Sequence, residues 1–153
     1  MIAVWFYKAN PSQNWMEVFY ESLSDYLHHR YQLAIFKLAS SAELWADGLF
    51  ERYLKSNAKL DEKVVGRIMR EQRSAWGTKF DRAKDLVSIF LDEADQKRFA
   101  NSKEPFRKFV REPRNDFAHR GTSSSLKHED AGEAYKAAFD VLWTMDQLEK
   151  FVP

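Results

Sequence analysis

Apolar positions recur at intervals of three and four along almost the whole chain, the period of a helix that buries one face. After Pro11, the residues Trp15, Val18, Phe19, Ser22, Tyr26 and Arg30 share a face widened by Leu23 and Leu27, which predicts a first long helix from near Ser12. Before it, Ile2 to Tyr7 is a short apolar run that fits either a strand-like arm or an extra helix. Leu33 to Leu38 continues the helical signal. Ser40 and Glu43 then have the spacing of a capping box, and Leu44 or Trp45, Leu49 and Tyr53 follow on one face as far as Ser56-Asn57. This stretch is either two helices or one long helix bent near residue 40.

Asp61 can cap a helix carrying Val64, Val65, Ile68 and Met69. Trp76-Gly77-Thr78 interrupts the pattern, and Thr78 with Asp81 can cap a next segment striped by Phe80, Ala83, Val87, Phe90 and Ala94. A loop is expected near Asn101, with Ser102 capping a helix that tolerates Pro105 in its first turn and buries Phe106, Phe109 and Val110. Pro113 lacks an N–H and its ring displaces the residue-109 carbonyl, so a kink or restart is expected there. Gly121 and the serine-rich run after it close that segment. A last helix from about Glu129 to Phe151 buries Ala131, Tyr135, Ala138, Leu142, Met145 and Leu148. Together these patterns predict an all-α fold, a bundle of four main helices with additional short helices, in a single domain spanning residues 1–153.

Composition narrows the chemistry. The chain is 44% hydrophobic and 31% charged, as globular proteins are, and Trp15, Trp45, Trp76 and Trp143 are expected in the core or a dimer seam. It has no cysteine, which removes disulfides, thiolate catalysis and Cys-based metal centres. No stretch reaches the length of a membrane span and no secretion-signal pattern opens the chain, so a cytoplasmic protein without membrane contact is expected. The net charge is only +1, but it is unevenly placed. Arg67, Arg70, Arg73, Lys79, Arg82 and Lys84 face only Glu71 and Asp81, while Lys103, Arg107, Lys108, Arg111, Arg114 and Arg120 face Glu104, Glu112 and Asp116. Such local basic surface can collect a nucleic-acid backbone, although an ordinary solvated helix face would have the same composition.

The second basic stretch contains Arg114-Asn115-Asp116-Phe117-Ala118-His119-Arg120-Gly121. A fixed cation, a carboxamide and an imidazole fall within six residues. Asn115 and His119 are four apart and share a helix face, whereas Arg114 and His119 are five apart and lie about 140° from each other on an ideal helix. The irregularity imposed by Pro113, the reach of the Arg side chain, or a twofold dimer whose two motif helices cross could bring them together. An Arg fork holds phosphate oxygens and stabilises charge developing at phosphorus. An imidazole near a helix C-terminus can take a proton from a ribose 2′-hydroxyl or give one to a departing 5′-oxygen. The 2′-hydroxyl is an internal nucleophile, so this chemistry requires neither metal nor cofactor and selects RNA over DNA. Asn115 would orient His119 or bind the scissile phosphate. Arg107, Arg111 and Arg120, which flank the motif, are the candidates for holding the RNA backbone.

An Arg followed by a His at such a gap arises by chance roughly once in a chain of this composition. The Asn directly after the Arg, the Ala-His-Arg-Gly ending and the place before the last helix make this instance more specific. In these features the sequence resembles HEPN domains, helical nucleic-acid-associated proteins whose signature is Arg, a polar residue and then His after a gap of four to six. Arg114, Asn115 and His119 match it in order. The resemblance implies a homodimer with both motifs at the interface, and a metal-independent endoribonuclease with Arg114 and His119 as the catalytic pair. It also implies a place among toxins of toxin–antitoxin systems, with an antitoxin protein as partner, or among antiviral defence effectors. The alternative is a non-catalytic helical dimer that binds a partner protein or nucleic acid.

Other polar residues read more simply. His28 and His29 point about 100° apart on a helix and suit surface or packing roles. His128 suits a capping or solvent-exposed position, and the i,i+4 pair Glu43 and Asp47 an exposed face.

Overall fold

A computed structural model describes residues 14–71, 76–120 and 126–153. The described chain is an all-α bundle, and among the described residues there is no strand. The helices are α1 (Asn14–Leu27), α2 (Tyr31–Arg52, continued by a π-turn over Tyr53–Asn57), α3 (Glu62–Glu71) and α4 (Trp76–Phe90). They continue with α5 (Glu93–Phe106), a second π-turn (Arg107–Arg111), α6 (Glu112–Arg120) and α7 (His128–Glu149). Because the π-turns join their neighbours, six continuous helical stretches are described, where four main helices with additional short helices were expected. The apolar run 2–7, the start near Ser12 and the connection after Gly121 lie outside the described residues.

Helix α2 is the centre of the bundle, packed by α1, α4, α6 and α7. Trp15 of α1 stacks on Trp45 of α2 with ring centroids 3.8 Å apart, and Phe80 of α4 stacks on Phe99 of α5 at 4.3 Å. Helix α7 contributes Ala131, Ala134 and Ala138, all fully buried, whose small side chains let the helix lie close against α2 and α5. Truncating Trp45 or Phe99 in such packing costs about 3–5 kcal/mol.

Local chemistry explains where helices start and stop. At Ser40 no restart occurs: its Oγ donates to the Phe36 carbonyl (3.0 Å), and Ser41 Oγ crosses to the Trp15 carbonyl (2.9 Å), so these hydroxyls are satisfied inside a continuous α2. Gly77 and Thr78 likewise lie within α4. The break expected near Asn101 falls instead at Asp92, whose carboxylate accepts from the Asp95 N–H (2.9 Å) as the N-cap of α5. Ser102 is therefore mid-helix and buried, donating to the Phe99 carbonyl (2.6 Å), and Pro105 sits inside the helix on its exposed side. The expected cap at Asp61 is present: its Oδ1 accepts from the Lys63 N–H at 2.8 Å.

The first helix buries Trp15, Met16, Phe19, Ser22 and Asp25, but Leu27 is 73% exposed and Arg30 points to solvent. The apolar stripe therefore ends before Leu27. Asp25 takes its place, pairing with Arg30 at 2.7 Å and with Lys37 of α2 at 2.9 Å. No helix among the described residues is long and apolar enough to cross a membrane.

Candidate active site

Pro113 determines the shape of the motif helix. An α-turn over its ring would crowd the residue-109 carbonyl, and the chain meets that demand by widening just upstream. The Glu112 N–H bonds to the Arg107 carbonyl, five residues back. From Glu112 to Arg120 the helix is regular, so each residue advances about 100° and 1.5 Å. Asn115 and His119 therefore share a face, as their spacing predicts. Arg114 and His119 lie about 140° apart and roughly 7.5 Å along the axis. The irregularity at Pro113 does not bring them together, since the wide turn ends at Arg111, before the motif begins.

Two surroundings result. Glu112, Asp116 and His119 occupy one side of α6, within about 60° of each other, and His119 is exposed. Glu112 and Asp116 border a hollow of about 330 Å³ whose other walls include Ile35, Lys108 and Leu126. Arg114 and Phe117 face α2. The Phe117 ring meets Phe36 edge-on at 5.9 Å, and the Arg114 guanidinium lies over the same Phe36 ring at 5.5 Å. Arg114 Nη1 donates to Asn115 Oδ1 at 3.1 Å, so the carboxamide orients the guanidinium and not the imidazole. Nη2 stands 3.9 Å from Glu43 Oε2, a long contact, and Nε is buried with no hydrogen-bond partner among the described residues. With 30% of the side chain exposed, Arg114 keeps donor capacity at an accessible edge.

Glu43 and Asp47 were expected on an exposed face, but they line a half-buried seam. Lys79 of α4 donates to Asp47 at 2.6 Å and lies 4.0 Å from Glu43. A carboxylate pair four residues apart thus holds one cation from α4 and one from α6, a partnership across three helices that spacing along α2 could not reveal.

Of the three flanking arginines, Arg111 joins this seam. Burial pulls its pKa below the usual guanidinium value, with Glu43 opposing that shift and Arg114 adding to it. Arg107 is held by Glu104 and Glu112, and the carboxylate of Glu104 raises its pKa. The Arg120 side chain lies outside the described residues.

Chemically, this helix offers a guanidinium with unfilled donors on one side and an exposed imidazole on the other. An anion at the Arg114 edge could replace the long contact to Glu43 with a bidentate one. Among the described residues no group of three or more His, Asp or Glu could hold a metal ion.

Trp15 and Trp45 are core residues, as expected, while Trp143 is half-buried beneath Arg98 (5.9 Å); the Trp76 side chain lies outside the described residues. His28 and His29 are exposed. His128 is the first residue of α7 and leaves capping to its neighbours, since Asp130 accepts from the Lys127 N–H at 2.8 Å. Compared with protein-family models, with curated proteins and with solved structures, the chain matches none.

Proposed function

We propose that this chain is a HEPN-like, metal-independent endoribonuclease that works as a homodimer, with Arg114 and His119 of two copies lining one groove. The observation that carries the proposal is the state of Arg114. It is fixed by Asn115 and by the Phe36 ring, its side chain is 30% exposed, and its buried Nε has no hydrogen-bond partner among the described residues. An exposed imidazole lies on the next turn.

The dimer supplies what one chain lacks. Leu44, 45% exposed, lies on α2 next to Glu43, which meets Arg114. That exposed apolar side chain suits a twofold seam between copies. In the groove the two guanidinium groups grip the nonbridging oxygens of one phosphodiester. A neutral His119 imidazole takes the 2′-hydroxyl proton as the 2′-oxygen bonds to phosphorus. The bond from phosphorus to the 5′-oxygen breaks, and the second copy's His119, protonated, gives that oxygen its proton. The products are a 2′,3′-cyclic phosphate and a 5′-hydroxyl. Arg111 adds positive charge beside Arg114. A cytoplasmic toxin or phage-defence effector, restrained by an antitoxin protein, is the cellular role that fits such an activity.

The test is cleavage of several RNAs in excess EDTA. Wild type cuts, whereas His119→Ala and Arg114→Ala each lose at least a hundredfold in rate. Growth arrest on expression, relieved by either substitution, supports the toxin role. A stable dimer that binds RNA or a partner protein equally well with and without these residues, and cuts nothing, favours the non-catalytic alternative.

A further inference from the structure

A second group of functional side chains lies where α1 turns into α2 and meets the start of α7. The Arg30 N–H bonds to the Asp25 carbonyl at 2.8 Å and the His29 N–H to the Tyr26 carbonyl at 3.1 Å, closing α1 with His29 in the left-handed region at φ 61°. His29 Nδ1 is 2.7 Å from the Tyr31 hydroxyl, which is 3.5 Å from His128 Nδ1; His128 Nε2 is 3.1 Å from the Tyr26 hydroxyl. Centroids of the Tyr26 and Tyr31 rings lie 5.2 and 5.9 Å from that of His128.

The floor beneath them is rigid. Ser22 Oγ donates to the Ala34 carbonyl at 2.8 Å, so the Tyr135 hydroxyl donates to Ser22. Burial pushes the Tyr135 pKa up to about 12, which keeps it a donor. His29 and His128 themselves are exposed, and His29 edges a hollow of about 310 Å³ whose other walls are Arg30, Tyr31, Gln32, Leu33 and Leu126. Leu126 is also a wall of the hollow beside Glu112 and Asp116, so the two hollows adjoin.

We propose that the hollow walled by His29 and Tyr31, with His128 joined to the Tyr31 hydroxyl beside it, is a nucleobase subsite for single-stranded RNA. The strand's path from this hollow to the motif rests on the ribonuclease function proposed above. Imidazole and phenol faces are surfaces on which a base stacks, and their ring nitrogens and hydroxyls can read its edge. Charge is not the attraction, because Arg30 is tied to Asp25. In the adjoining hollow Glu112, Asp116 and Asp130 outnumber Lys108. These carboxylates turn phosphates outward and accept from ribose hydroxyls and base amino groups. A strand crossing Leu126 therefore lays its bases inward, one of them in the histidine–tyrosine hollow.

The subsite can be tested without cleavage. In His119→Ala protein, the ring resonances of the remaining histidines are followed by NMR during titration with a mixed-sequence hexaribonucleotide. The proposal predicts saturable shifts of His29 and His128. It also predicts binding weakened about fivefold to a hundredfold in the His29→Asn/His128→Ala double variant. Asparagine tolerates the left-handed backbone at position 29, so the fold is kept. Tyr31→Phe, which retains the ring, should keep most of the affinity. Unmoved His29 and His128 signals overturn the proposal, whether the oligonucleotide binds elsewhere or not at all. Shifts at both histidines in a protein whose wild type cuts no RNA would remove the nuclease function and leave the subsite standing. Cleavage by wild type with both signals unmoved would do the reverse.

Discussion

At the scale of single residues, the geometry of the Arg114 fork matters more than its charge. It bonds Asn115 through one nitrogen, lies over the Phe36 ring, and stands 3.9 Å from Glu43 through another, a contact that an anion would replace. Lysine would supply the charge without the plane or the fork, so Arg114→Lys should cut at least tenfold more slowly than wild type with an unchanged melting temperature. Steady-state cleavage and a thermal scan check this together. Asp146 illustrates a different cost. It is 7% exposed, and burial raises its pKa above the usual carboxylate value. A raised carboxylate binds its proton more tightly when folded, so stability falls as pH rises through the folded-state pKa. Asp146→Asn should therefore raise the urea midpoint at pH 7, with the gain shrinking as both states become protonated at low pH. The triplet Arg114, Asn115 and His119 was legible because its spacing is local and its residue types are few. Glu43 and Phe36 were not, because they approach Arg114 from another helix, and no spacing along one helix encodes that approach.

At the scale of elements, helix bodies follow the apolar period closely, while their ends follow side-chain competition. Ser40 and Glu43 have the spacing of a capping box, yet the Ser40 hydroxyl bonds back to Phe36 inside a continuous α2. Ser102 has the cap's chemistry too, but it is 3% exposed, and a buried position fits the helix interior better than a loop. The cap that operates is Asp92, and Asp92→Ala should destabilise the protein by about 1 kcal/mol in urea unfolding. The prolines behaved by a rule that spacing alone underdetermines. Pro113 is accommodated by a wide turn completed before it, so the motif that follows is undistorted. That outcome leaves the reach of the Arg114 side chain, or a second copy of the chain, as the way to bring Arg114 and His119 together.

At the scale of the whole molecule, the all-α architecture and the buried stripe of the last helix were readable from the 3–4 repeat of apolar residues. Which faces stay uncovered was not. Leu33 and Leu44 belong to the same periodic pattern as the core residues beside them, and only the packing of α1, α6 and α7 around α2 shows them exposed. With Leu44 in the proposed seam between copies, Leu44→Glu should yield a folded monomer by light scattering and lower cleavage at least tenfold.

The most direct test of the central claim is the chemistry of the cut ends. An end-labelled RNA is incubated with wild type and with His119→Ala in excess EDTA, and both termini of each product are identified by mass spectrometry. The account predicts 2′,3′-cyclic phosphate and 5′-hydroxyl ends from wild type and no products from the variant. Products ending in 3′-hydroxyl and 5′-phosphate, or equal cleavage by both proteins, would contradict it.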